Sequence, residues 1–398
     1  MIFTEKGGER MVFLSLLYPK GSEAEIYKKS RGCFMQNQIN SFQWGCIDGL
    51  ISCGENVRLI NCLPVGTFPK HYRGLFIKGG EWVYGGAVHT NIGGINIPFL
   101  KQISRKRKIK RLLSSLRDEE IVIYSTYMPF LRAVKNIDKS CAVTLIVTDL
   151  PEYYDLGKTG MIKRLMRKVN NKMIYSAMAR ADRFVLLTEA MREPLGVGDR
   201  PYTVVEGIYG GDIPVPTEHA GKTVFYAGAL HEKFGIKTLL EAFSQIKDEN
   251  FRLVLCGDGD AVPEIKKAAE KDCRIKFLGY IPKEQVEKLR EEAALLINPR
   301  PAHGEYTKYS FPSKTMEYLA SGKPFLGYRL DGIPADYDDY INYIDGDTAR
   351  DMARAIEKVC NDESGFYISK ARRAAQFIAK EKNSRTQAGK ILKLIKEN

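Results

Sequence analysis

No run of about 18 uninterrupted apolar residues occurs in this 398-residue chain, so no segment reads as a membrane-crossing helix. The first 18 residues lack a signal-peptide cleavage pattern, and a cytoplasmic protein is expected. Cysteine is present without pattern. Cys33, Cys46, Cys53, Cys62, Cys141, Cys256, Cys273 and Cys360 show no Cys-x2-Cys spacing, which argues against a zinc site or a disulfide framework and for free, buried thiols. The five histidines are just as dispersed, so no histidine-based metal cluster is expected. No Gly-x-Gly-x-x-Gly follows the first strand-like run of either half, which speaks against a nicotinamide-dependent dehydrogenase.

The length is too great for one ordinary core and predicts two domains of about 200 residues each. An excess of 61 Lys and Arg over 48 Asp and Glu gives a net charge of +13, and such a balance calls for an anionic partner. Residues 101–117 carry eight basic side chains and no acidic one. They also contain no aromatic side chain on which a base could stack, so no nucleic-acid partner is expected. Further on, Met161, Ile162, Leu165, Met166, Val169 and Met173 recur at helical spacing among Lys163, Arg164, Arg167, Lys168 and Lys172. That pattern suits a basic amphipathic helix on an anionic membrane surface. It suits equally a core-facing stripe with a solvated back, and the sequence leaves the two readings level.

Apolar runs at 11–18, 57–63, 121–124, 143–147 and 184–187 read as strands, with helices between, the clearest over 36–53. Residues 64–100, rich in Gly and aromatics, read as irregular structure with short strands. The alternation argues for a parallel doubly wound sheet. Asp149 directly follows the strand at 143–147, where ligands of such sheets sit. An Asp opening a turn before Pro151 explains it as well. Residues 209–220 combine Gly and Pro with no hydrophobic period and read as a linker between a first domain, 1–208, and a second, 221–380. The second begins with a strand at 223–226, the loop from Gly228 to Gly235 and a helix at 237–245, an order that suits phosphate, with Lys233 as a point charge. Strands at 252–256 and 275–278 flank a helix at 261–271, and the chain ends in two basic helices at 365–380 and 385–396. Asp258-Gly-Asp260 and Asp345-Gly-Asp347 read as turns, not as metal ligands.

The most informative stretch is 298–328. A buried strand at 293–297 ends at Asn298-Pro299, and a polar loop containing Arg300 follows. Ser313 suits a helix N-cap, 314–321 the helix, Gly322 its stop and 325–328 a short strand. Glu317, four residues after Ser313, shares its helix face near the positive end of the dipole. On spacing alone, an acid there is more often a simple dipole partner, worth roughly a few tenths of a kcal/mol.

The string Phe311-Pro-Ser-Lys-Thr-Met-Glu-Tyr-Leu-Ala-Ser-Gly-Lys-Pro324 resembles, over fourteen consecutive positions, the donor-binding signature of bacterial family 4 glycosyltransferases of the surface-polysaccharide type. The resemblance implies two Rossmann-like α/β domains facing each other across a cleft, the GT-B fold. It implies transfer, with retention, of a hexose from a nucleoside-diphosphate-sugar donor to a hydroxyl of a saccharide acceptor, a lipid-linked one, without further cofactor or metal. Glu317 then accepts hydrogen bonds from the ribose, Ser313 and Lys314 at the helix start and Lys233 face the diphosphate, and Gly279-Tyr280-Ile281 presents backbone to the base. The loop containing Asp149 faces the acceptor, and the last helix, 381–398, packs back on the first domain. Two departures stand out: Ala229 replaces a frequent arginine, for which Arg300 or Lys314 is expected to compensate, and Tyr309 replaces the first glutamate of a Glu-x7-Glu pair. These departures also admit a catalytically weak partner or binding subunit. The acceptor class and the basic segments together suggest a peripheral protein on the inner face of the membrane.

Overall fold

A computed structural model describes residues 10–31, 37–153, 161–214 and 221–397. Cys33, positions 215–220 of the expected linker, and the side chains of Met161, Ile162 and Lys163 lie outside the described residues. The chain forms two compact units, residues 1–210 with 383–398 and residues 211–382.

The first unit contains strands β1 (Arg10–Ser15), β2 (Asn56–Asn61), β3 (Phe76–Ile77), β4 (Gly80–Tyr84), β5 (Ala87–Asn91), β6 (Gly94–Ile95), β7 (Glu120–Tyr124), β8 (Ala142–Val147), β9 (Arg183–Leu186) and β10 (Tyr202–Val204). Its helices are α1 (Glu23–Lys29), α2 (Asn37–Ser52), α3 (Leu100–Leu113), α4 (Met128–Val134) and α5 (Met161–Met178). The second unit holds β11 (Lys222–Ala229), β12 (Phe251–Asp258), β13 (Ile275–Gly279), β14 (Leu295–Asn298), β15 (Phe325–Gly327) and β16 (Asn342–Tyr343). Its helices are α6 (Ile236–Gln245), α7 (Val262–Lys271), α8 (Lys283–Glu292), α9 (Ser313–Ala320), α10 (Ala349–Cys360) and α11 (Phe366–Glu381), and α12 (Ser384–Glu397) returns to the first unit.

The first sheet runs β10-β9-β8-β7-β1-β2-β5-β4, parallel throughout except for the edge strand β4, which pairs antiparallel with β5. Met11, Val12, Phe13 and Leu14 of β1 are all buried because helices cover both faces of a central parallel strand. Phe13 and Leu17 share a core with Trp44, Ile47 and Leu50 of α2 and with Ile391 and Leu392 of α12. Gly49 permits the close approach of α12: a Cβ there would stand 2.1 Å from the Ser384 carbonyl oxygen. The second sheet runs β13-β12-β11-β14-β15-β16 and is wholly parallel. In both sheets the chain first builds outward on one side of the opening strand and then crosses to the other. The switch points lie beside β1 and β11, and ligands of such sheets bind beyond the strand ends there.

Two expectations need correction. Seven cysteines are free thiols among the described residues, but Cys273 is exposed and Cys53 and Cys360 are only half-buried, so they are not uniformly core. The helix at 313–320 begins one residue earlier than expected: Pro312 holds the N-cap position and Ser313 is the first helical residue.

Candidate functional site

The switch point of the second unit gathers the loop after β11, the loop after β14 and the N-terminus of α9. Two glycines make this convergence possible. A Cβ on Gly228 would lie 2.2 Å from Lys314 Cε, and one on Gly235, whose φ is +81°, would lie 2.0 Å from the Pro299 carbonyl oxygen. At Gly235 the backbone leaves no room for a side chain and needs a left-handed conformation, whereas at Gly228 the end of the Lys314 side chain would have to move aside. Asp260 ties the loop in place from β12, its Oδ1 accepting from the Glu232 amide at 2.9 Å. This bond joins two loops; within the turn itself Asp258 Oδ1 accepts from the Gly259 amide at 2.9 Å.

Because Pro312 has no capping side chain, the first amides of α9 are left without a side-chain cap. Lys314, next along, places its ammonium 5.7 Å from the centroid of the Tyr226 ring. Burial lowers its pKa, and Glu317, one turn away on α9, opposes that shift. The Glu317 carboxylate itself takes part in no hydrogen bond or ion pair among the described residues, and it is only partly buried. Tyr318 and Met316 of the same helix point into the core, and the Tyr318 hydroxyl accepts from the Ala227 amide at 3.3 Å, which fixes α9 against β11.

Arg300 is the side chain whose setting the sequence did not disclose. Its guanidinium carbon stands 4.8 Å from the Tyr306 ring centroid and 5.8 Å from that of Phe234. Nη2 donates to Ser310 Oγ at 2.9 Å, and Nε is buried without a partner. Lys233 approaches the same Phe234 ring, at 5.1 Å. Gly228, Lys233, Arg300, Ser313, Lys314 and Glu317 thus lie on loops and a helix that converge at one end of one sheet. Gly279 ends β13, two strands from β11 at the same carboxyl edge, and Tyr280 and Ile281 follow it; Gly279 has φ of +65° and Tyr280 is exposed. Tyr309 ends a short 3-10 turn, where Lys308 covers its ring.

In the first unit, Asp149 follows the carboxyl end of β8. Thr148 Oγ1 donates to its Oδ2 at 3.3 Å. The residue has solvent-accessible surface, yet protein crowds its carboxyl, and this desolvation raises its pKa to about 6. A cavity of about 520 Å³ in this unit is lined by Thr90, Asn91, Gly93, Lys108 and Arg111 and contains none of the expected site residues.

The basic segments separate into two kinds of surface. On α3, Lys101 and Arg105 turn inward, while Leu100 and Ile103, and Phe99 just before the helix, are exposed. On α5, Leu165 and Met166 are 64% and 63% exposed, and Val169 and Met173 join them. That stripe is therefore not a core face. Helix α4 lies between the two and touches both.

Residues 221–362, from β11 through α10, match the model of the family described as Glycosyl transferases group 1. That stretch, which lies within the second unit, is similar to the family. A curated relative, the amylovoran biosynthesis glycosyltransferase AmsK of Erwinia amylovora, is 26% identical over 122 residues, which are 29% of this chain and 30% of AmsK. Solved structures are alike over the full length. Sucrose-phosphate synthase from Thermosynechococcus elongatus has a TM-score of 0.66 at 14% identity, covering 98% of this chain and 99% of its own. HepE of Anabaena, in complex with UDP and glucose, has a TM-score of 0.64 at 13% identity, covering 98% and 100%. The lipopolysaccharide outer core galactosyltransferase WaaB has 0.62 at 12% identity, covering 98% and 99%. These likenesses establish the fold, a pair of Rossmann-like α/β domains of the GT-B type.

Proposed function

We propose that this protein transfers a hexose, with retention, from a nucleoside-diphosphate-sugar to a hydroxyl of a lipid-linked saccharide in surface-polysaccharide assembly. The observation that carries the donor half is the convergence at the second switch point: uncapped amides of α9, three cations and one uncommitted carboxylate on neighbouring loops. Lys233, Arg300, Lys314 and the amide and hydroxyl of Ser313 hold the diphosphate, an anion that helix N-termini and guanidinium groups suit. Glu317 accepts from the ribose hydroxyls, and the backbone of Gly279, Tyr280 and Ile281 meets the base. HepE, whose structures contain UDP and UDP-glucose, supports this donor class. AmsK, which acts in amylovoran biosynthesis, supports the polysaccharide role.

As the glycosidic bond breaks, negative charge grows on the departing diphosphate, and the same cations stabilise it. The departing phosphate takes the proton of the acceptor hydroxyl, while Asp149 orients that acceptor without attacking. No separate cofactor or metal is required in this scheme. Arg300, clamped between two rings, offsets the missing arginine at position 229 and favours an active enzyme over an inactive binding subunit.

Calorimetry with a panel of nucleoside-diphosphate-sugars, followed by transfer assays with lipid-linked saccharides in excess chelator, tests the reading. Binding of at least one donor and transfer in chelator are expected. Donor binding without any transfer or hydrolysis would instead favour the binding-subunit reading. Activity abolished by chelator and restored by magnesium would overturn the metal-free scheme.

A further inference from the structure

Helix α3 buries two cations at the switch point of the first unit. Lys101 and Arg105, four residues apart and therefore on one helix face, are only 6% and 4% exposed. Lys101 Nζ donates to the Val65 carbonyl at 2.5 Å. Arg105 Nη2 donates to the Leu63 carbonyl at 2.8 Å and Nη1 to the Tyr127 hydroxyl at 2.9 Å. Residues 63–65 follow β2 and Tyr127 follows β7, the two strands on either side of β1. Arg105 therefore bridges the carboxyl ends that flank the switch point.

Among the described residues, neither cation meets a carboxylate. Burial, and then the neighbouring Arg105, push the pKa of Lys101 down to about 7. The other titratable groups beside the pair are neutral: burial raises the Cys62 thiol to about 11 and also raises the Tyr127 hydroxyl. Two adjacent like charges buried without a counter-ion are costly. Hydrogen bonding to the Leu63 and Val65 carbonyls does not require charge, since a neutral amide side chain donates as well. Lys101 uses one of its three N–H donors and Arg105 two of its five, so donors remain for a ligand. Leu63, Pro64, Ser125 and Tyr127, on the two loops that the pair joins, are half-buried. Phe99, with φ of +63°, lies two residues before Lys101, and Ser125, with φ of +70°, two residues before Tyr127; such strain persists where surroundings impose it.

We propose that Lys101 and Arg105 seat a phosphoryl group carried by the acceptor, so that the acceptor is itself a phosphate or diphosphate ester. This rests on the transferase reading above, with the first unit as the acceptor side. The phosphoryl anion supplies the missing counter-charge and returns Lys101 to its ammonium form.

Calorimetry on the full chain, with UDP present in excess to occupy the donor site, tests it using a hexose phosphate and, in detergent, a polyprenyl diphosphate. Binding of either is expected, with uptake of protons at pH 8 revealed by comparing buffers of different ionisation enthalpy. The tighter of the two probes identifies a soluble or a lipid-borne ester. Lys101→Met should lower affinity by about tenfold or more and abolish the proton uptake, while Lys101→Arg retains binding and UDP affinity stays unchanged in both. Failure of both probes to bind the wild-type chain, or unchanged binding and proton uptake in a folded Lys101→Met variant, overturns the proposal. Should Lys101→Met fail to fold, the wild-type proton uptake decides alone, and its absence counts against the site. Absence of binding by every nucleoside diphosphate of the donor panel would refute the donor reading and leaves the phosphoryl measurement, made on the other unit, to stand or fall by itself.

Discussion

Arg300 donates to Ser310 Oγ at 2.9 Å while the rings of Phe234 and Tyr306 hold its guanidinium. These partners fix a cation whose Nε remains unpaired and buried. Such a group is prepared for a bidentate anion, and lysine, a point charge, cannot reproduce the fork. Arg300→Ala should weaken nucleoside-diphosphate binding by roughly ten- to a hundredfold, from about 1.5–3 kcal/mol of charge-assisted hydrogen bonding. Arg300→Lys should recover only part, and Ser310→Ala should lose less than either. Calorimetry with UDP gives the ranking, and an Arg300→Ala variant that binds UDP like the wild type removes Arg300 from the diphosphate site.

Glu317 makes a different prediction because no protein group occupies its carboxylate among the described residues. Glu317→Gln should leave the thermal midpoint near that of the wild type and reduce affinity for nucleosides and nucleotides that keep both ribose hydroxyls, by about 1.5–3 kcal/mol. Against a 2′-deoxynucleotide the loss should shrink. A uniform loss for both ligands would mean that Glu317 acts on the helix and not on the ribose.

The two glycine environments predict opposite signs from the same substitution. Gly235→Ala forces a Cβ against the Pro299 carbonyl and a left-handed backbone on alanine, and should destabilise by at least about 2 kcal/mol. Gly389 lies in α12 with nothing within 4 Å of a Cβ placed there, so Gly389→Ala should stabilise by about 0.5–1 kcal/mol. Denaturant midpoints of the two variants check both.

Most strands were legible because buried parallel strands are short apolar runs, as at 293–297, where β14 spans Leu295–Asn298. Helix α8 was not: Lys283–Glu292 is densely charged and has no fully buried residue, so no periodic stripe announces it. Helix α10 carries a signal in the sequence, a Thr348 to Asp351 capping box ahead of Met352, Ala353, Ile356 and Val359 at helical spacing. The clamp on Arg300 could not have been read, since Phe234 comes from a loop 66 positions upstream and only the sheet brings it near. The inward turn of α3 was half-hidden. Lys101 and Arg105 lie on the stripe continued by buried Ile109 and Leu113, but a dense run of basic residues resembles a solvated face.

The role proposed for Asp149 predicts a pH dependence. Its raised pKa means that, between the usual carboxylate range and about 6, the folded protein keeps a proton that an unfolded chain would release. Ionising this group therefore opposes folding, its effect on stability falls as pH rises through that window, and Asp149→Asn should not lower stability at neutral pH. If the ionised form orients the acceptor, kcat/KM should decline as pH falls through about 6. Asp149→Asn should be slow and lack that limb. A variant that retains the same acid limb assigns it to another group.

The last prediction concerns the exposed stripe of α5. Leu165, Met166, Val169 and Met173 are exposed beside Arg164, Lys168 and Lys172, and neither α5 nor α3 contains an acidic residue. Apolar side chains left in water next to unopposed cations suit the interface of an anionic bilayer, where each Lys or Arg contributes about 1 kcal/mol. Binding to vesicles rich in phosphatidylglycerol should exceed binding to phosphatidylcholine vesicles and should weaken as salt shortens the Debye length. Leu165→Ser with Met166→Ser should reduce binding at every salt concentration, because it removes buried area, whereas Lys168→Gln with Lys172→Gln should reduce it mainly at low salt. Lys101 is buried, so Lys101→Met should change vesicle binding little, which separates the membrane surface from the phosphoryl seat. Flotation assays distinguish these variants. Equal binding to both vesicle types, or full binding by the serine double variant, would show that α5 does not dock this protein on the membrane.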